Sequence, residues 1–126
     1  MAVEGVDHYT ILTKDLAATR HFYCDLLGLS EGWRPPFSFP GLWLYAGGHP
    51  VVHIIAGRPI PGNGDGTGAV DHVAFKAAGD VGTLQKKLEA EGFQVSSRIV
   101  PNSGIRQLFC RDPSGVQVEL NYPPPA

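Results

Sequence analysis

The stretch Val6-Asp7-His8-Tyr9-Thr10-Ile11-Leu12 returns, little changed, as Val70-Asp71-His72-Val73-Ala74-Phe75. The copies lie 64 residues apart in a chain of 126, so the sequence reads as two related modules. Each copy alternates as a strand does, with His8 and Thr10 on one face and Tyr9 and Ile11 on the other. A histidine at the same point of two related strands is the first sign of a shared site.

Outward from the first copy, Thr13 or Asp15 can cap a helix. Leu16, Phe22, Tyr23, Leu26 and Leu27 give it one buried face, and Gly28 is placed to end it. Glu31 to Gly41 is too rich in proline for a central strand and reads as a loop with aromatic tips. Leu42 to Tyr45 and Val51 to Ile55 then read as strands joined by the turn Gly47-Gly48-His49-Pro50. The second copy leads to Asp80 as a cap and to a helix with Val81, Leu84 and Leu88 inward, ended by Gly92. Gly92 lies 64 residues after Gly28, so the repeat keeps its register through the helix. Phe93 to Val95, Ile105 to Cys110 and Val116 to Asn121 follow, with turns at Pro101-Asn102-Ser103-Gly104 and Asp112-Pro113-Ser114-Gly115.

The expected organisation is one α+β domain of two βαβββ modules, over residues 1–56 and 70–122. A hinge at 57–69 joins them, and a proline tail at 123–126 is expected to be loose. The hinge holds GRPIPGNGDGTG, with five glycines, two prolines and no apolar periodicity. A half-sheet covered by its helix on one face leaves the other open. Two halves together then form a concave half-barrel cup suited to a small ligand.

Apolar residues at 43% and charged residues at 17% describe a folded globular chain. The net charge of −2 gives no basic field for nucleic acid, and no apolar run is long enough for a membrane span. MAVEGVDH lacks the basic start and apolar centre of a signal peptide, so a cytoplasmic location is expected. Cys24 and Cys110 have no metal or redox spacing and read as buried or half-buried free thiols.

Alternation puts Val116, Val118 and Leu120 on one face of the last strand and Gln117, Glu119 and Asn121 on the other. Aligning the turn Gly48-His49-Pro50 with Ser114-Gly115-Val116 shifts the register to 66, which matches His53 with Glu119. Two equivalent pairs result, His8 with His72 and His53 with Glu119. Imidazole and carboxylate suit Zn, Ni, Co, Mn or Fe(II). A lone histidine is more often an ordinary packed residue, and His21 and His49, which have no repeat partner, are read so. Gln107 and Phe109 share a strand face and are expected to line the cup with Gln117, Asn121 and Thr10. Trp43 and Tyr45 occupy the matching strand of module one.

The segments VDHYTILTKDLAATRHFYCDLLGL, VDHVAF and LFCRDPSGVQVELNY resemble the vicinal oxygen chelate superfamily. That superfamily includes glyoxalase I, methylmalonyl-CoA epimerases, fosfomycin-resistance thiol transferases, extradiol dioxygenases and bleomycin-binding proteins. The resemblance implies a glyoxalase-like fold, a homodimer, and a divalent metal held by His8, His72 and Glu119. It also gives Glu119 a possible second role as catalytic base. Where glyoxalase I has a glutamate as fourth ligand, this chain has His53, which leaves less negative charge on the metal. The leading implication is a metal-dependent lyase or isomerase acting on a small oxygen-chelating substrate through an enolate or oxyanion. The alternatives are an extradiol-type dioxygenase, a fosfomycin-type thiol transferase, or a drug-binding resistance protein without metal.

Overall fold

The computed structural model describes residues 4–60, 70 and 72–125. The chain divides into two units, Met1–Asn63 and Gly64–Ala126. Unit one contains β1 (Tyr9–Thr13), α1 (Leu16–Arg20), a π-helical continuation (His21–Leu26), β2 (Ser30–Gly32), β3 (Gly41–Ala46) and β4 (His49–Ala56). Unit two contains β5 (Val73–Lys76), α2 (Val81–Ala90), β6 (Ser96–Ile99), β7 (Arg106–Arg111) and β8 (Gln117–Tyr122). The sheets have the orders β1-β4-β3-β2 and β5-β8-β7-β6. In each, the first strand runs parallel to the last and the other neighbours are antiparallel. This is an α+β fold of two βαβββ modules.

Asp15 and Asp80 begin the two helices. Asp15 Oδ1 accepts from the Ala18 amide and Asp80 Oδ2 from the Thr83 amide. Thr13, the other candidate cap, has a supporting part. Its hydroxyl accepts from the Asp15 amide and bonds the buried Thr19 hydroxyl at 2.7 Å. The expected helix from Leu16 to Leu27 changes pitch at His21, where the Leu27 amide reaches the Phe22 carbonyl five residues back. Phe22, Tyr23 and Leu26 are buried from this wider turn. Both helices end as expected at a glycine with positive φ, +90° at Gly28 and +88° at Gly92.

Three boundaries differ from expectation. The strand after α2 is Ser96–Ile99 rather than Phe93–Val95, because the Phe93 amide still bonds the Leu88 carbonyl and those residues are used in leaving the helix. Ser30–Gly32 is a short edge strand inside the expected loop, with Gly32 opposite Trp43. Pro123 and Pro124 pair with no strand, yet Pro123 accepts a bond from Arg106 and Pro124 lies beside Gly104, so this part of the tail is held. Most of the expected hinge, 61–69, lies outside the described residues, as do Asp71 and Ala126.

Each unit buries the apolar face of its own sheet: Ile11, Leu44, Val52 and Ile54 in unit one, Leu108, Cys110, Val118 and Leu120 in unit two. On α2, Leu88 is fully buried and Val81 and Leu84 are half-buried. Cys24 is half-buried and Cys110 buried, both as free thiols. Burial, and then Asp112, push the Cys110 thiol up to about 11, which keeps it protonated and unreactive. Among the described residues no helix is long and apolar enough to cross a membrane.

Leu44 and Leu108 are both wholly enclosed. Replacing either by alanine is expected to cost about 2–5 kcal/mol in chemical denaturation. A loss well under 1 kcal/mol would show that the cavity closes by repacking.

Candidate functional site

The parallel register decides what meets on the open faces. In unit one Thr10 lies opposite His53, and His53 opposite Trp43. In unit two Ala74 lies opposite Glu119, and Glu119 opposite Phe109. His53 and Glu119 therefore hold equivalent places, at the shift of 66 taken from the turns. His8 and His72 stand just before β1 and β5, two residues from Thr10 and Ala74, and so face the same way.

His8 stacks on His53 with ring centroids 3.7 Å apart, and His53 stacks on Trp43 at 4.0 Å. The His8 Nδ1 atom lies 2.7 Å from the Asp7 carboxylate. With the proton on Nδ1, Nε2 keeps its lone pair free for a Lewis acid. The same bond holds the Asp7 carboxyl below its ordinary range. His49 Nε2 lies 2.8 Å from the Asp7 carbonyl oxygen, so this histidine, set aside in the sequence, supports the Asp7–His8 segment. Burial lowers the His53 pKa, and the charge of His8 lowers it further. His53 Nε2 is buried and has no hydrogen-bond partner among the described residues. An orphaned imidazole nitrogen, kept neutral, is a donor atom suited to a metal ion.

In unit two His72 Nε2 lies 3.5 Å from Glu119 Oε1. Glu119 is only 8% exposed, unusual burial for a carboxylate. Its Oε2 accepts from Gln107 Nε2 at 3.1 Å and Asn121 Nδ2 at 2.8 Å. Gln107 Nε2 also reaches Asn121 Oδ1, while Gln107 Oε1 accepts from Arg98 Nε at 2.9 Å. One carboxylate oxygen is thus clamped and Oε1 is presented toward His72. Each unit offers two donor atoms of a kind that divalent ions accept: two nitrogens in one, a nitrogen and an oxygen in the other. Among the described residues no three histidine, cysteine, aspartate or glutamate side chains cluster in a metal-holding arrangement.

The expected pocket residues divide by role. Thr10 and Trp43 flank His53, and Gln107 and Asn121 hold Glu119. Tyr45 packs against Gly32, where a Cβ would stand 2.6 Å from its ring, and its hydroxyl donates to the Trp33 carbonyl. Phe109 and Gln117 line a cleft of about 640 Å³ with Ser96 and Cys110. A second cleft of about 610 Å³ runs past Gln107 and Asn121 toward Ile105 and Tyr122. His21 pairs with Asp25 on the helix surface. Asp7 and Arg98 were not singled out in the sequence. The signal for Asp7 was present, since the repeat carries Asp-His and not histidine alone.

Fold and paired donors together define a protein of two βαβββ modules, each with a histidine and a second polar donor on the open face of its sheet. Residues 5–120 match the model of the Glyoxalase/Bleomycin resistance protein/Dioxygenase superfamily, and the chain belongs to that superfamily. It is 28% identical over 110 residues to the "Putative ring-cleaving dioxygenase MhqA" of Bacillus subtilis (strain 168), covering 82% of this chain. The chain spans about a third of that relative's length (34%). Among solved structures it is similar to the fosfomycin resistance protein FosX of Listeria monocytogenes, with a TM-score of 0.75 and 20% identity over 95% of this chain and 93% of that one. A variant of FosX is complexed with Mn(II) and a dihydroxypropylphosphonic acid, at a TM-score of 0.75 and 18% identity over 96% of this chain and 93% of that one. The antibiotic-binding protein TnmS3 of Streptomyces sp. CB03234 matches with a TM-score of 0.68 and 20% identity over 98% of each chain.

The lowered pKa of His53 sets a sign. Above pH 6.5 the ring is neutral in both folded and unfolded chains; below it the unfolded chain protonates first, so stability falls as pH falls through 6.5. In the metal-free protein the His53 ring resonances are expected to titrate with a midpoint below 6.5 in an NMR pH series. A midpoint above that value would contradict the burial of Nε2.

Proposed function

We propose that the chain is a divalent-metal-dependent enzyme acting on a small oxygen-chelating substrate, with His8, His72 and Glu119 as ligands and His53 as a fourth. The observation that carries this reading is the matched register, which sets a histidine beside a second donor on the open face of each unit. A bound divalent ion would supply Lewis-acid stabilisation of negative charge on substrate oxygen, as in an enolate or oxyanion.

The chain's own residues do the rest. Asp7 fixes the His8 tautomer, and burial of His53 favours its neutral form. Gln107 and Asn121 hold Glu119 by one oxygen, leaving Oε1 to ligate or to take a proton from substrate. Proton transfer at that atom is the step a lyase or isomerase would use. Oxygen-dependent ring cleavage is the second reading, favoured by the ring-cleaving relative and by the stacked rings around His53. A homodimer and a cytoplasmic location belong to the same proposal.

Calorimetric titration of chelator-treated protein with Mn(II) or Zn(II) is expected to show about one ion per chain. His72→Ala and Glu119→Ala should abolish binding; full occupancy in both would overturn the ligand assignment. His53→Ala separates four ligands from three, since unchanged affinity removes His53 from the set.

Loss of the carboxylate that orients His8 gives an independent check. Asp7→Asn is expected to weaken metal affinity roughly 10-fold or more with the fold unchanged. Turnover that requires oxygen would favour ring cleavage, and turnover that requires an added thiol would favour thiol transfer.

A further inference from the structure

The loop between β2 and β3 puts large rings in water. Trp33 is 70% exposed and Phe37 43% exposed, although nothing in a loop requires exposed aromatics. Both turn toward the sheet: Trp33 meets Trp43 edge-on at 6.2 Å, and Phe37 meets it at 6.3 Å. Phe37 stacks on Phe39 at 5.0 Å. Ring surface thus runs without a break from His8, His53 and Trp43 to the loop tip.

Cationic groups lie on the same surface. The Arg34 guanidinium sits 5.1 Å from the ring centres of both Phe37 and Phe39, and Arg58 sits 4.9 Å from Phe39. Arg34 Nη2 donates to the Phe39 carbonyl and rests over Gly41, where a Cβ would approach it to 3.0 Å. No carboxylate pairs with either arginine among the described residues, and Glu31, the acidic residue nearest the loop in sequence, is bonded to Arg20 at 2.8 Å. A guanidinium laid on rings keeps its in-plane donors, and the fork they form matches a carboxylate.

We propose that this face binds a planar aromatic carboxylate, its ring against Trp33 and Phe37 and its carboxylate toward Arg34 and Arg58. The flat rings select a flat ligand, and two cations with no carboxylate partner among the described residues select an anionic one. The inference deepens the functional reading by naming a ligand class for the same site, but ring binding needs no metal, so the two ideas can fail separately.

The test is calorimetric titration of the full chain, in chelator and again with Mn(II), using 2-naphthoate, its neutral counterpart 2-naphthalenemethanol, and cyclohexanecarboxylate. The naphthoate should bind in both conditions and better than either control. Trp33→Ala and Phe37→Ala should weaken it severalfold. Arg34→Gln should weaken it roughly tenfold or more and remove the preference over the alcohol. Because Arg34 also ties the loop, Arg58→Gln serves as the variant without that bond and should act in the same direction. Equal binding of naphthoate and alcohol, or unchanged affinity in the Trp33 and Phe37 variants, would overturn the proposal. So would sedimentation showing that Trp33→Ala only dissociates a dimer while naphthoate affinity stays constant. Naphthoate binding without any Mn(II) binding would sink the metal reading and leave this one standing.

Discussion

Thr10 lies beside His53, and Ala74 beside Glu119, because the first strand of each unit runs parallel to its last. A parallel pair cannot be closed by a tight turn, so the chain must pass through a helix and two further strands before β4 or β8 can be laid down. Slipping that pairing by one residue would turn His53 or Glu119 into the apolar core and bring Ile54 or Leu120 to the open face. The burial of Val52, Ile54, Val118 and Leu120 opposes such a slip, so the core fixes the positions of the polar residues. The donor pairs of both units follow from a packing constraint on the other side of the sheet.

The two units support equivalent positions by different physical means. In the first, His53 is held by two stacked rings, and burial lowers its pKa. In the second, Glu119 is held by directed bonds from two amide side chains. A histidine tolerates the first treatment because its neutral form is inexpensive to bury, whereas a buried carboxylate requires donors. The difference between stack and clamp follows from the change of residue at one repeated position.

Much of this was readable in the chain. The Asp-His repeat, the caps Asp15 and Asp80, and the helix ends at Gly28 and Gly92 are short-range signals whose physics is local. The match of His53 with Glu119 required only counting residues through two turns. The clamp on Glu119 was hidden because alternation says which face Gln107 occupies but not which neighbour it will bond. The π-helical turn was hidden because Phe22, Tyr23 and Leu26 lie on one side for bonding across either four or five residues. Arg34, in the loop, lies over Gly41 in space left by a missing side chain on β3, which a linear reading does not show.

The chain of bonds from Arg98 through Gln107 to Glu119 sets a limit on how the carboxylate can be adjusted. Arg98 never touches Glu119; an amide stands between them and transmits polarisation rather than a full counter-charge. The glutamate is thus oriented by an amide rather than by a guanidinium. Changing residue 98 alters what bonds the far side of the Gln107 amide, while the contact between His72 and Glu119 is made by other atoms. Substitutions at this exposed strand edge therefore reach the surroundings of the carboxylate without disturbing the packed face of the sheet.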